Sequence, residues 1–394
     1  MKYKLYGDGI HDDAPAIQEL LDERSSQVIL PAPKSHYLIG KTLKIHGGQT
    51  LKLAPTTVVR LMDDVNASML EDDDFNTVKY DICVDGGVWD MNNTNQQANP
   101  WHFAGPDGLT GWQRMEKLGY KKHGLSFPEI KTPFPVYTGF CMRFCRIHRF
   151  TLKNVTFRNP VCYAVQICWT EDFTVKDINF DFVTGAPKLW NMDGIHIDGG
   201  CKNGYIANLK GATYDDLVAI TADDGVYGEI ENIVVENLYA YGCHSAVRFL
   251  SHGLPVRNVR VSNVFGTYYR YTIGFTKYHG DENERGYMKN IIIENVVASN
   301  CIDPNEKKDM SSPIITIKGY IDLEDIYISN ISREEGYSHK PMMKIDSGAK
   351  IDNLVLSNFK QVSCHGEPLE IFVNEGEVTN LTKTNFINKV AKKD

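Results

Sequence analysis

IVVENL, residues 233–238, sets three β-branched residues ahead of an asparagine and a second apolar residue. The same pattern returns as LKNVTF (Asn154), VKDINF (Asp177), IANL (Asn208), VRVSNV (Asn263), IIIENV (Asn295), IYISNI (Asn330), LVLSNF (Asn358) and LTKTNF (Asn385). Successive copies lie 23 to 35 residues apart, the range of solenoid repeats. Short runs of valine and isoleucine mark strands, not helices. Asparagine suits a turn: it tolerates left-handed backbone, and its amide can bond along a stacked ladder. A rung of this kind buries its apolar side only against the rungs above and below. The expected fold is therefore all-β, a single parallel β-helix spanning 1–394, with regular rungs over 146–390.

Two segments depart from the repeat. GDGIHDDAPAIQELLDER, residues 7–24, reads as a turn and a helix, with Asp12 or Asp13 as cap, Pro15 in the first turn and Ile17, Leu20 and Leu21 as an apolar stripe. Such a helix covers the open first rung. Residues 99–139 form a long Pro/Gly-rich insertion carrying Trp101, Phe103, Trp112 and Tyr120. Its length and aromatics suggest an ordered lid or interface, with a short helix over 112–118.

The chain has 394 residues, 42% hydrophobic and 23% charged, with a formal charge of -8. That balance argues against nucleic acid or an anionic membrane as partner and leaves the oligomeric state open. No apolar run reaches transmembrane length, and the opening MKYKLYGDGIHDD lacks the apolar segment of a signal peptide. Nine cysteines without framework spacing read as reduced thiols, so the expected location is the cytoplasm. Cys141, Cys145 and His148 have an irregular spacing that fits core cysteines better than zinc ligands.

Chemistry concentrates between residues 191 and 224. Ile195/Ile197 and Val218/Ile220 are matching apolar alternations, and aligning them places Asp193 on Asp216. On neighbouring rungs those carboxyls stack roughly 4.8 Å apart, with Asp215 beside them. Crowded carboxyls raise at least one pKa by like-charge repulsion, which keeps an acid protonated near neutrality. His244 stands in line with Asp215, either as an acid-tuning or sugar-binding group or as a structural histidine. Arg248 points outward nearby, as a subsite for an anionic or hydroxyl-rich group or as an ion-paired surface residue. Asp223-Asp224-Gly225 reads as a turn.

With these motifs in place, the chain resembles the polygalacturonase-like glycoside hydrolases, which are right-handed parallel β-helices. The opening GDG–DD–AIQ pattern of residues 7–18 resembles the start of pectinase-type β-helices. Asn191-Met192-Asp193 resembles the family's Asn-Thr-Asp, Tyr214-Asp215-Asp216 its Gly-Asp-Asp, and Cys243-His244-Ser245 its Gly-His-Gly. The resemblance implies an inverting hydrolase acting on an oligosaccharide or polysaccharide. Asp215 would be the general acid, Asp193 and Asp216 would hold the water, and Asn191, His196, His244, Arg248 and Lys277 would bind substrate. That mechanism requires no cofactor and no metal. Two departures stand out. The family's uronate-holding Arg-Ile-Lys should fall near residues 271–277, where Gly274 and Thr276 take the outward places and only Lys277 remains. His196 stands where the family often has Asp. Exo action is expected if the insertion closes one end of the groove, which requires 99–139 to lie near Asp193. A calcium-dependent β-helix lyase with Arg248 or Lys277 as base, a glycosyl-transferring enzyme and a non-catalytic glycan-binding β-helix of tailspike type are the alternatives.

Overall fold

The computed structural model describes residues 2–118, 136–182, 190–278 and 284–392. Its strands stack in parallel register, each pairing with strands one rung earlier or later, as a β-helix requires. One inward column shows how the rungs share a core. Leu152, Val175, Ile206, Val235, Val261, Ile293, Ile328 and Leu356 align from rung to rung, and all are buried.

The recurring asparagines sit at the bends with left-handed backbone, φ from 55° to 60° between Asn154 and Asn385. Their side-chain amides form a ladder. Asn237 donates to Asn208 at 3.0 Å, Asn263 to Asn237 at 3.0 Å and Asn295 to Asn263 at 3.2 Å. A second ladder, which the repeat reading does not contain, stands five residues earlier. Asn232 donates to Asn203, Asn258 to Asn232 and Asn290 to Asn258, all at 2.9–3.0 Å and all left-handed. A fully buried aliphatic side chain stabilises by about 1.5–3 kcal/mol, against about 0.5–1.5 kcal/mol for a net hydrogen bond. The apolar columns therefore dominate the driving force, and the asparagines fix where each rung bends.

At the N-terminus the helix Ala14–Asp22 packs Ile17 and Leu21 onto the core. Asp12 is the residue whose carboxylate accepts from the first helical N–H, Ala14 N, at 2.9 Å. Asp13 instead binds the preceding turn through Tyr6 N at 2.6 Å and Gly7 N at 3.1 Å. Asp223 behaves as a turn residue, accepting from the backbone N–H groups of His252, Gly253 and Leu254 at 2.7–2.9 Å. All nine cysteines are free, and Cys141 packs its sulfur 3.5 Å from that of Met69. No helix among the described residues is long and apolar enough to cross a membrane.

Candidate active site

The site lies on the outer face of one sheet. Strands Val165–Cys168, Ile195–Ile197, Asp216–Thr221, Ile230–Leu250 and Pro255–Thr276 align Gln166, His196, Ala219, Arg248 and Gly274 in one outward row. The register Ile195↔Val218 also puts Asp193 level with Asp216, which in turn pairs with Ser245. The alignment read from the two apolar pairs is the one the chain adopts.

Each inner carboxylate has its own cation. Asp193 Oδ2 lies 2.6 Å from His196 Nδ1, and the other ring nitrogen lies 3.6 Å from Asp198 Oδ1. Asp216 Oδ2 lies 2.7 Å from Arg248 Nε, while its Oδ1 accepts from the Ser245 hydroxyl and, at 3.5 Å, from Tyr271. Asp193 and Asp216 are buried. Burial raises both carboxyls, and His196 and Arg248 only partly pull them back.

Asp215 differs. Its side chain is 24% exposed, and its ionic contact among the described residues is with His244 Nδ1 at 3.5 Å. Burial drives the His244 ring down to about 4, with Arg270 and Arg248 adding to the effect and Asp216 opposing it. His244 is therefore neutral at pH 7 and supplies no counter-charge. Burial, reinforced by Asp193, pushes the Asp215 carboxyl up to about 7, so this is the carboxyl that keeps a proton near neutrality.

The remaining expected site residues are distributed as follows. His196 is wholly enclosed, its ring stacked on Tyr163 at 4.0 Å, and it faces carboxylates and not the surface. Arg248 is 12% exposed and ion-paired, with its guanidinium 5.8 Å from the Tyr278 ring. Asn191 is left-handed at φ 57°, and its side chain fastens the insertion, accepting from Asn99 at 3.1 Å and meeting His102 at 3.1 Å. Lys277 turns toward a later rung, donating to the Glu284 carbonyl and lying 5.9 Å from the Tyr320 ring.

Sequence reasoning missed Tyr271 and Asp198. Tyr271 folds over Gly274, where a Cβ would come within 2.5 Å of the ring, so glycine is what lets the tyrosine reach Asp216. The other expected outward residue, Thr276, is buried and donates to the Phe249 carbonyl at 2.9 Å. Asp198 carried a legible signal, since it stands two places after His196.

The insertion reaches the site. Asn99 donates to the Trp190 carbonyl at 2.7 Å, and His102 meets the Trp190 ring edge-on at 5.3 Å. Trp101 and Met115 are buried, and the helix Gly111–Lys117 starts at a capping box between Thr110 and Gln113. Tyr120 lies outside the described residues.

Donor atoms of Asp215, Asp216 and His244 approach within 4.8 Å of one another. The set suits calcium poorly. Calcium takes about six to eight oxygen ligands, whereas here one donor is an imidazole and one carboxylate is already met by a guanidinium.

Fold and site together define a parallel β-helix with a carboxyl cluster on the outside of one sheet. Residues 138–375 match the glycosyl hydrolases family 28, and the chain belongs to that family. Comparison with curated proteins gives no significant match. Among solved structures, the exopolygalacturonase of Thermotoga maritima is 18% identical with a TM-score of 0.56, covering 96% of this chain and 89% of its own. The polygalacturonase of Erwinia carotovora is 16% identical with a TM-score of 0.53, covering 97% and 94%. The adhesin PfbA of Streptococcus pneumoniae is 15% identical with a TM-score of 0.57, covering 99% of both chains. The fold is the right-handed parallel β-helix of the polygalacturonases.

Proposed function

We propose that the protein is an inverting, exo-acting glycosidase that uses Asp215 as general acid and Asp193 with Asp216 as the water-holding base. The observation that carries this reading is the asymmetry of the cluster: two carboxyls in contact with cations and, among the described residues, a third without one and partly exposed. Asp215 donates its proton to the glycosidic oxygen as the bond to the anomeric carbon breaks. Asp193 and Asp216 orient a water on the opposite face of the ring and take its proton as it attacks. Asp193 Oδ1 is buried and receives no hydrogen bond among the described residues, which leaves it an acceptor for that water.

The anchoring of the insertion at Asn191 supports exo action, because it stands at one end of the cluster. The Tyr271–Gly274 arrangement supports a sugar recognised through hydroxyl groups, since tyrosine occupies the space where the family resemblance implies a uronate-binding cation. The nine free thiols support a reducing, cytoplasmic setting. The test is hydrolysis of a panel of acidic and neutral oligosaccharides by the wild type and Asp215→Asn, with the anomer detected by NMR. Inverted monosaccharide from the wild type alone is expected. Retained anomer, transfer products, or equal release by the variant would overturn the reading.

A further inference from the structure

The outward row that carries Arg248 continues toward the N-terminus as a polar file, buried from Glu71 to His196. Lys44, Glu71, Arg143, Gln166 and His196 align rung by rung. Lys44 Nζ donates to Glu71 at 2.6 Å, Arg143 meets Glu71 and Gln166 at 3.4 Å, and Gln166 donates to Asp198 at 2.6 Å. His196 then links Asp198 to Asp193. Gln166, His196 and Asp198 are buried to 2% exposure or less, in a place where apolar residues would stack at no desolvation cost. With His196 charged, cations and carboxylates alternate along the file, with Gln166 as the one neutral link between Arg143 and Asp198. With His196 neutral, Asp193 and Asp198 face one another across an uncharged ring.

Resting on the hydrolase reading above, we propose that His196 is a positioning residue. Clamped by Asp198, it holds Asp193 ionised and aimed, and the pair thereby sets the acidic limit of activity. Other groups around the ring act in both directions. Tyr163 offers a π face at 4.0 Å and Arg248 favours the ionised form of Asp193, whereas Asp216 opposes ionisation of Asp193 and Asp224 opposes that of Asp198, which is the repulsion the imidazolium has to offset. Burial opposes the charge on His196, but Asp198 and Asp193 outweigh it and lift the ring to about 10. The imidazolium is therefore present throughout the neutral range and is lost only as pH rises through that value.

Two measurements test the clamp. The first needs no substrate: histidine-selective 15N NMR should find both His196 nitrogens protonated through pH 8 in the wild type, and a neutral ring at pH 8 in Asp198→Asn. A wild-type His196 that titrates near its ordinary value of about 6.5 would overturn the proposal. The second is the pH profile of kcat. Asp198→Asn and His196→Gln should move the acidic limb up by about one pH unit or more, roughly a tenfold loss well below it, with the alkaline limb unmoved and Asp198→Glu restoring the wild-type limb. A uniform loss with both limbs in place would show a merely structural role. Asp198→Asn is nearly isosteric, so it carries the test if His196→Gln fails to fold. If the wild type hydrolyses nothing, the function reading fails while the NMR result still decides the clamp.

Discussion

Replacing Arg248 by methionine separates a buried ion pair from a surface arginine. Asp216 is fully buried, and Arg248 Nε at 2.7 Å is its cation; among the described residues, the hydroxyls of Ser245 and Tyr271 would remain as its hydrogen-bond donors. Breaking a buried pair by removing one partner costs about 3–5 kcal/mol, because the other charge stays buried without compensation. Asp216 in the variant should escape part of that cost by binding a proton, so its folded pKa rises further above its unfolded value. Stability then increases as pH falls, at up to about 1.4 kcal/mol per unit between the folded pKa and about 3.9. The assay is the urea midpoint at several pH values, read only where the slope m is unchanged. Adding Asp216→Asn to Arg248→Met removes the orphaned charge and should recover most of the loss. A single-variant effect below about 1 kcal/mol that does not vary with pH would mean that Arg248 is a solvated surface residue, and the pairing scheme for the cluster would fall with it.

Three further outcomes follow from the same geometry. The wild-type kcat/KM should decline above pH about 7, because Asp215 must be protonated to act, and Asp215→Asn should cost about 10²–10⁴ in kcat; an alkaline limb above pH 9 would contradict the assignment. At the corner residue Asn237, with φ 60°, alanine loses two ladder bonds and suffers the left-handed backbone, whereas glycine loses only the bonds. Alanine should therefore destabilise by about 1–2 kcal/mol more than glycine in urea unfolding. Removing the Asn99 amide together with the His102 ring, by Asn99→Ala with His102→Ala, takes away the insertion's hydrogen bonds to Trp190 and Asn191 and should lengthen the products released from oligosaccharides; an unchanged product profile by chromatography would detach the insertion from exo action.

The legible parts of the molecule are those written in short-range chemistry. Valine and isoleucine alternation with a terminal asparagine specifies a strand and a bend, and matched pairs such as Ile195/Ile197 and Val218/Ile220 fix the register that brings Asp193 level with Asp216. The short helix near Trp112 was legible from composition, although it starts one residue earlier, at Gly111, where Thr110 supplies the cap. Contacts made between rungs were harder to read. Tyr271 reaching back over Gly274 depends on a missing Cβ three residues on, and the enclosure of His196 depends on Tyr163 from the previous rung. Neither leaves a local pattern. The second asparagine ladder was in plain view as a five-residue echo of the first, at Asn232 before Asn237 and Asn258 before Asn263, but a search for one bend per rung passes over it.

That five-residue interval acts as a gauge on how the chain can change length. Asn203 and Asn208, Asn232 and Asn237, Asn258 and Asn263, and Asn290 and Asn295 keep the same spacing, although the rungs themselves differ by several residues. A residue added between two corners would put that rung's two asparagines out of step with the ladders on the rungs either side, whereas a residue added beyond them meets no such constraint. Growth is therefore channelled to the arcs that close each coil, and these are the positions where foreign loops can be grafted without disturbing the stack.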